Sequence, residues 1–108
     1  MIISNMEELP GQRVVRHLGV VQGSTVQAKN VFRDIGASLK NLVGGELRSY
    51  TDLMNGAREE AIARMEQEAT AMGANAVLNV RFATSTITQG AAELLAYGTA
   101  VIVEEHRE

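Results

Sequence analysis

Residues 18–46 read LGVVQGSTVQAKNVFRDIGASLKNLVGGE. A valine-rich run passes through Gly23-Ser24 into an amphipathic segment that stops at Gly44-Gly45. The apolar period changes from that of a strand to that of a helix within this one stretch, so the chain must lay helix against sheet. Gln12 to Gln22 reads as the strand, with Val14, Val15, Val20 and Val21 on both phases of the alternation. Pro10-Gly11 marks the turn before it, and Gly23-Ser24 is expected to break it. Thr25 to Lys29 either continues the strand or loops.

Asn30 suits the N-cap of a first predicted helix. Val31, Ile35, Leu39 and Leu42, with Phe32 and Val43, fall within an arc of about 120°. Asp34, Ser38 and Asn41 line the opposite side, Arg33 and Lys40 form a basic edge, and Gly44-Gly45 is the expected stop. Glu46 to Tyr50 reads as a connector. A second, longer helix is predicted from about Tyr50 to Met72, with Gly73 just past its end. Its apolar side holds Leu53, Met54, Ala57, Ala61, Ile62, Met65, Ala69 and Met72, while Glu60, Arg64 and Glu68 are spaced to pair along one surface line.

Asn75 to Thr88 reads as a second strand, with Ala76, Leu78, Val80 and Phe82 on one face and Asn79 and Arg81 on the other. Gln89-Gly90 is the turn into a third strand, Ala91 to Glu104, and the two form an antiparallel hairpin. Residues 105–108 are expected to fray. The expected fold is a single α+β domain over residues 1–108, in the order β-α-α-β-β, with two helices on a three-stranded antiparallel sheet.

The third strand is apolar on both faces. Leu95, Tyr97, Val101 and Val103 lie on one, and Leu94, Ala96, Ala100 and Ile102 on the other. Helices of one subunit cover one face, whereas a sheet facing water alternates more cleanly. A second apolar face implies a second subunit, and a homo-oligomer is therefore expected.

Composition narrows the function classes. The chain has no cysteine, so disulfides, zinc–thiolate sites and cysteine nucleophiles are excluded. Its net charge of −3 and the lack of a basic face argue against nucleic acid. The start, MIISNMEELPGQ, has no basic segment followed by a long apolar core, and no apolar run approaches the roughly 20 residues a membrane span needs. A cytoplasmic protein without membrane partners is expected. Nothing reads as GxxxxGK[ST] or GxGxxG, and no serine sits in a nucleophile elbow.

The segments LGVVQGSTV, NVFRDIGASLKNLVGGE and SYTDLMNGAREEAIARMEQEATAMGANAVLNVRF, with Gly98-Thr99-Ala100-Val101, resemble the YbjQ-like family over nearly the whole chain. The resemblance implies a subunit with dodecin-like strand–helix–strand–strand logic. It also implies a ring-shaped homo-oligomer, a pentamer being favoured, and it brings a heavy-metal-binding label on a family of uncharacterised function. A divalent metal is thus the implied cofactor, for which His17 and His106 are the candidate ligands.

The polar stripe of the first predicted helix is the other candidate site. Arg33, Asp34, Ser38, Lys40 and Asn41, with Glu46 and Tyr50 nearby, have the chemistry to line a polar pocket, to bind an anion or to supply a base. The plainer reading of such a stripe is a solvated face or a subunit contact. The leading expectation is a non-enzymatic binding or scaffold protein. A ring-shaped store for a small ligand is the alternative, and an enzyme with a site between subunits is a third class. Flavin is disfavoured, because tryptophan is absent and only Phe32, Tyr50, Phe82 and Tyr97 are aromatic.

Overall fold

The computed structural model describes residues 1–28, 45–88 and 91–106. Within them the order is β1 (Ile2–Ile3), β2 (Gln12–Ala28), α1 (Gly45–Ala71), β3 (Ala76–Thr88) and β4 (Ala91–Glu105). The strands form one sheet in the order β1-β3-β4-β2. β4 is central and antiparallel to both β2 and β3, while β1 runs parallel to β3 through Ile2↔Ala76 and Ile3↔Val77. The sheet is therefore four-stranded and mixed, not three-stranded and antiparallel. Two residues carry no periodic signal, so β1 could not be read from its own sequence. The predicted helix over residues 31–43 and the turn at Gln89-Gly90 lie outside the described residues.

Two boundaries move. Glu46 to Tyr50 is the opening of α1 and not a connector, and Gly45 begins that helix. A glycine is tolerated at a helix N-terminus, and nothing between Glu46 and Tyr50 interrupts the helical backbone. Gly73 has φ +87° and caps the far end as expected. β4 reaches Glu105, and the His106 N–H donates to the Gly11 carbonyl at 2.9 Å, so pairing enters the segment expected to fray.

Gly23-Ser24 does not break β2, which runs on to Ala28. The glycine serves a different need. A Cβ at Gly23 would stand 2.3 Å from the Met65 backbone nitrogen and 2.4 Å from the Ala61 carbonyl oxygen. Helix backbone lies directly on strand backbone here, and Ala57, Ala61, Met65 and Ala69, one turn apart, are the buried helix residues that allow it. Ala61, Met65 and Ala69 pack with Val21, Val77, Val80, Ala96 and Ala100 into the main core. Thr25, buried beneath the helix, satisfies its hydroxyl on the Ala57 carbonyl at 3.5 Å.

A bulge reverses the phase of β3. Asn79 has φ +57°, and the register skips between Leu78↔Thr99 and Arg81↔Tyr97. Ala76 and Leu78 face away from α1, packed with Val101 and Val103, whereas Val80 turns into the core beneath the helix. The expectation that Ala76, Leu78, Val80 and Phe82 share one face fails for this reason: an extra residue inverts every later side chain. Gly98 lies opposite the bulge, where a Cβ would come within 2.8 Å of Val77 Cγ1 and 2.9 Å of the Leu78 oxygen.

Residues 4–11 turn back over the sheet. The Asn79 N–H donates to the Met6 carbonyl at 2.9 Å, and the Val80 N–H to the Ser4 carbonyl at 3.0 Å. Leu9 then packs onto Ala76, Leu78, Val101 and Val103. Part of the second apolar face is thus covered by the chain itself.

Candidate functional site

The sequence-predicted site residues do not gather into one described place. Arg33, Asp34, Ser38, Lys40 and Asn41 lie outside the described residues. Glu46 and Tyr50 fall in the opening turns of α1, with side chains outside the description. His17 is exposed on β2 and paired with Val101. His106 lies five residues beyond Val101, so about 17 Å of extended strand separates the two backbone positions, more than two imidazole side chains span. Zinc holds imidazole nitrogen at about 2.0–2.1 Å, so no single ion bridges them within one subunit. Among the described residues, no group of three His, Asp or Glu side chains is placed to hold an ion.

Strict alternation along β2 would put His17 and Val20 on opposite faces. Bulges between Val14 and Arg16 and between His17 and Gly19 put both on the face away from α1, opposite Val101 and Thr99. Gly19 meets the second bulge with φ +127°, a value that disfavours a side chain.

Two surface depressions concentrate the remaining chemistry. One, of about 320 Å³, lies where the N-terminal arm meets the ends of β2 and β4. Leu9, Val14 and Val103 give it apolar walls, and Glu8, Gln12, Arg13 and His106 give it polar ones. Arg13 is committed to an ion pair with Glu104 on the neighbouring strand. This places His106 in the same depression as Glu8 and Gln12, residues to which the sequence reading gave no role.

The other is a groove of about 340 Å³ between α1 and β3, lined by Arg58, Glu59, Ile62, Ala63, Glu66 and Phe82. The helix packs over β2 and β4 and leaves the outer part of β3 uncovered, so Phe82 is 46% exposed. Sequence alternation grouped Phe82 rightly with Val80 but also with Ala76 and Leu78, which the bulge sends to the other face, and the signal for this groove was an aromatic residue in a chain with few of them.

On the opposite face Val20 is 70% and Val26 58% exposed, with Tyr97, the cross-strand partner of Gln22, diagonal to Val20. The expected line of Glu60, Arg64 and Glu68 divides. Arg64 pairs with Glu60, while Glu68 accepts the Gln22 N–H at 3.2 Å. No helix among the described residues is long and apolar enough to cross a membrane.

A family model described as "Putative heavy-metal-binding" matches residues 1–104. A UPF0145 protein of Hahella chejuensis is 62% identical over 104 residues, covering 96% of this chain and all of its own. A UPF0145 protein of Thermus thermophilus is 54% identical over 108 residues, covering the whole chain and 95% of its own. One of Halorubrum lacusprofundi is 56% identical over 101 residues, covering 94% and 97%. Among solved structures, a protein of unknown function of the DUF74 family from Pediococcus pentosaceus superposes with a TM-score of 0.62. It covers 96% of this chain and 98% of its own at 12% identity, a likeness of fold.

Proposed function

The chain belongs to the YbjQ family, and on that premise we propose that it is a non-catalytic, self-assembling binding protein whose ligand sites are completed between subunits. The ligand class is a divalent heavy-metal ion, and the expected assembly is a closed homo-oligomer, a pentamer first.

One observation carries this reading: apolar side chains remain uncovered on both faces of a thin subunit. Its extents are 57 × 29 × 18 Å, and its radius of gyration is 17.3 Å, against about 13 Å for a compact chain of this length. Phe82 is open beside α1, and Val20 and Val26 are open on the other side. Each large apolar side chain buried against a neighbour contributes about 1.5–3 kcal/mol, so closing copies over these patches is strongly favourable. Closure also supplies the route to a metal. An exposed His17 or His106 that meets its symmetry mates around an axis gains ligands no single subunit offers it.

A second reading is a ring that stores a small organic ligand, favoured by the groove of Ile62, Ala63 and Phe82. Its volume is at the lower end of ligand pockets.

Light scattering of the purified protein at micromolar concentration, with elemental analysis of the same peak, tests the proposal. A mass several times 11.6 kDa, with Zn, Cu or Ni retained or thermal stabilisation on adding them, supports it. A monomer overturns the assembly. An assembly that neither retains nor responds to these metals overturns the metal, and an organic mass released in native mass spectrometry then favours the storage reading.

A further inference from the structure

Among the described residues, strand β2 lies at the end of the sheet order, with β4 on one side. In an antiparallel strand, alternate residues turn their N–H and C=O to the same side. The Gln22 N–H and the Ser24 carbonyl both meet side chains of α1 and so belong to the free side of β2. The Gln22 N–H donates to Glu68 Oε2 at 3.2 Å. Arg64 Nη1 donates to the Ser24 carbonyl, and Arg64 Nη2 to Glu60 Oε1, which holds the guanidinium in place.

The spacings match. Residues four apart on a helix are separated by about 6 Å along its axis, and residues two apart on a strand by about 6.6 Å. One acceptor and one donor on α1 therefore meet one donor and one acceptor on the edge, in the positions a further strand would occupy.

We propose that Glu68 and Arg64 are an edge guard: they stand in for a neighbouring strand and keep β2 from pairing with β2 of a second copy. An unguarded β2 edge is self-complementary about a two-fold axis, because an antiparallel edge presents alternating groups that match its own. The apolar Val20 and Val26, one on each side of the guarded pair, are the side chains such a pairing would bury. The device steers association to the faces and away from the edge. It does not depend on the subunit count, since the guarded groups lie within one chain.

The test compares wild type with Glu68→Ala/Arg64→Ala by sedimentation velocity over a range of concentrations. Amide exchange at Gln22 is measured by NMR on both. The double variant should keep its far-UV circular dichroism. At the lowest concentration, before copies pair, it should exchange the Gln22 amide at least about tenfold faster, and as concentration rises it should form species of twice the wild-type mass or more. Glu68→Gln keeps an acceptor oxygen and should sediment as wild type does. A folded double variant with the wild-type size distribution overturns the proposal. Should the double variant not fold, Glu68→Ala alone carries the test: unchanged exchange at Gln22 overturns the proposal and faster exchange supports it. A monomeric wild type would sink the assembly reading above and leave the guard standing, so the two failures are separable.

Discussion

Beneath α1 the sheet presents Gly23, Ala96 and Ala100, and the helix answers with Ala57, Ala61, Met65 and Ala69, so backbone approaches backbone and little is left open. On the reverse face the same strands present Leu78, Val101 and Val103, on which, among the described residues, Leu9 packs from an arm of irregular chain. Further along that face Val20 stands in the open. The helix-side contact closes around the fully buried Met65, Val21 and Val77 and leaves no room for a methyl group at Gly23, whereas the reverse face leaves Val20 and Val26 uncovered. A close-packed surface is complete within one subunit; a surface of exposed valines is complete only against something else.

Substitutions on the two sides should differ in kind. Gly23→Ala is the most severe, because the added methyl meets helix backbone that cannot swing aside. A loss of about 3 kcal/mol or more is expected, a fall of well over 10 °C in the thermal midpoint, or failure to fold. A midpoint within 2–3 °C of wild type would mean that α1 does not sit on β2 as described.

Asn75→Ala comes next. The Asn75 side chain accepts from the Val103 N–H and donates to the Val103 carbonyl, both at 2.8 Å, and so extends the β3–β4 ladder by one pair. Its removal strands two backbone groups and should cost about 1–3 kcal/mol in denaturant unfolding. Leu9→Ala should cost about 1–2 kcal/mol, less than a fully buried leucine, since Leu9 is only partly buried. It should also raise amide exchange at Asn79 and Val80, whose N–H groups the arm accepts.

Val20→Thr is the smallest in the isolated subunit, within about 0.5 kcal/mol. Its use is in the contrast: if the reverse face is an interface, this change should weaken association by several-fold in dilution experiments while leaving subunit unfolding unaltered. Equal association by wild type and variant would place the interface elsewhere.

Much of the fold was legible in the chain. The long β3–β4 hairpin, the face assignment of Ala96, Ala100, Val101 and Val103, the stripe Ala57-Ala61-Met65-Ala69 and the stop at Gly73 all follow from local periodicity and turn chemistry. What escaped were events of a single residue. The bulge at Asn79 leaves no compositional mark except a residue that tolerates left-handed backbone, yet it sends Val80 to the other face. Gly23 looked like punctuation because a glycine in a turn and a glycine under a helix are the same letter. Of the candidate site residues, His17 and His106 are the ones whose side chains are described, and the distance between them was not readable until β2 and β4 were put in register.

The sequence by itself determined that this is an α+β chain without thiol chemistry, in which a helix covers one face of an antiparallel hairpin, because these properties rest on composition and short-range period. It also carried family membership across residues 1–104. The tertiary structure alone decided that Ile2–Ile3 adds a parallel strand, that the N-terminal arm closes part of the reverse face, and that Glu68 and Arg64 reach the free edge of β2. Those contacts join residues 40 (Arg64 to Ser24) to 94 (Leu9 to Val103, 103 − 9) positions apart. No local pattern encodes them, since each depends on where two distant segments come to lie.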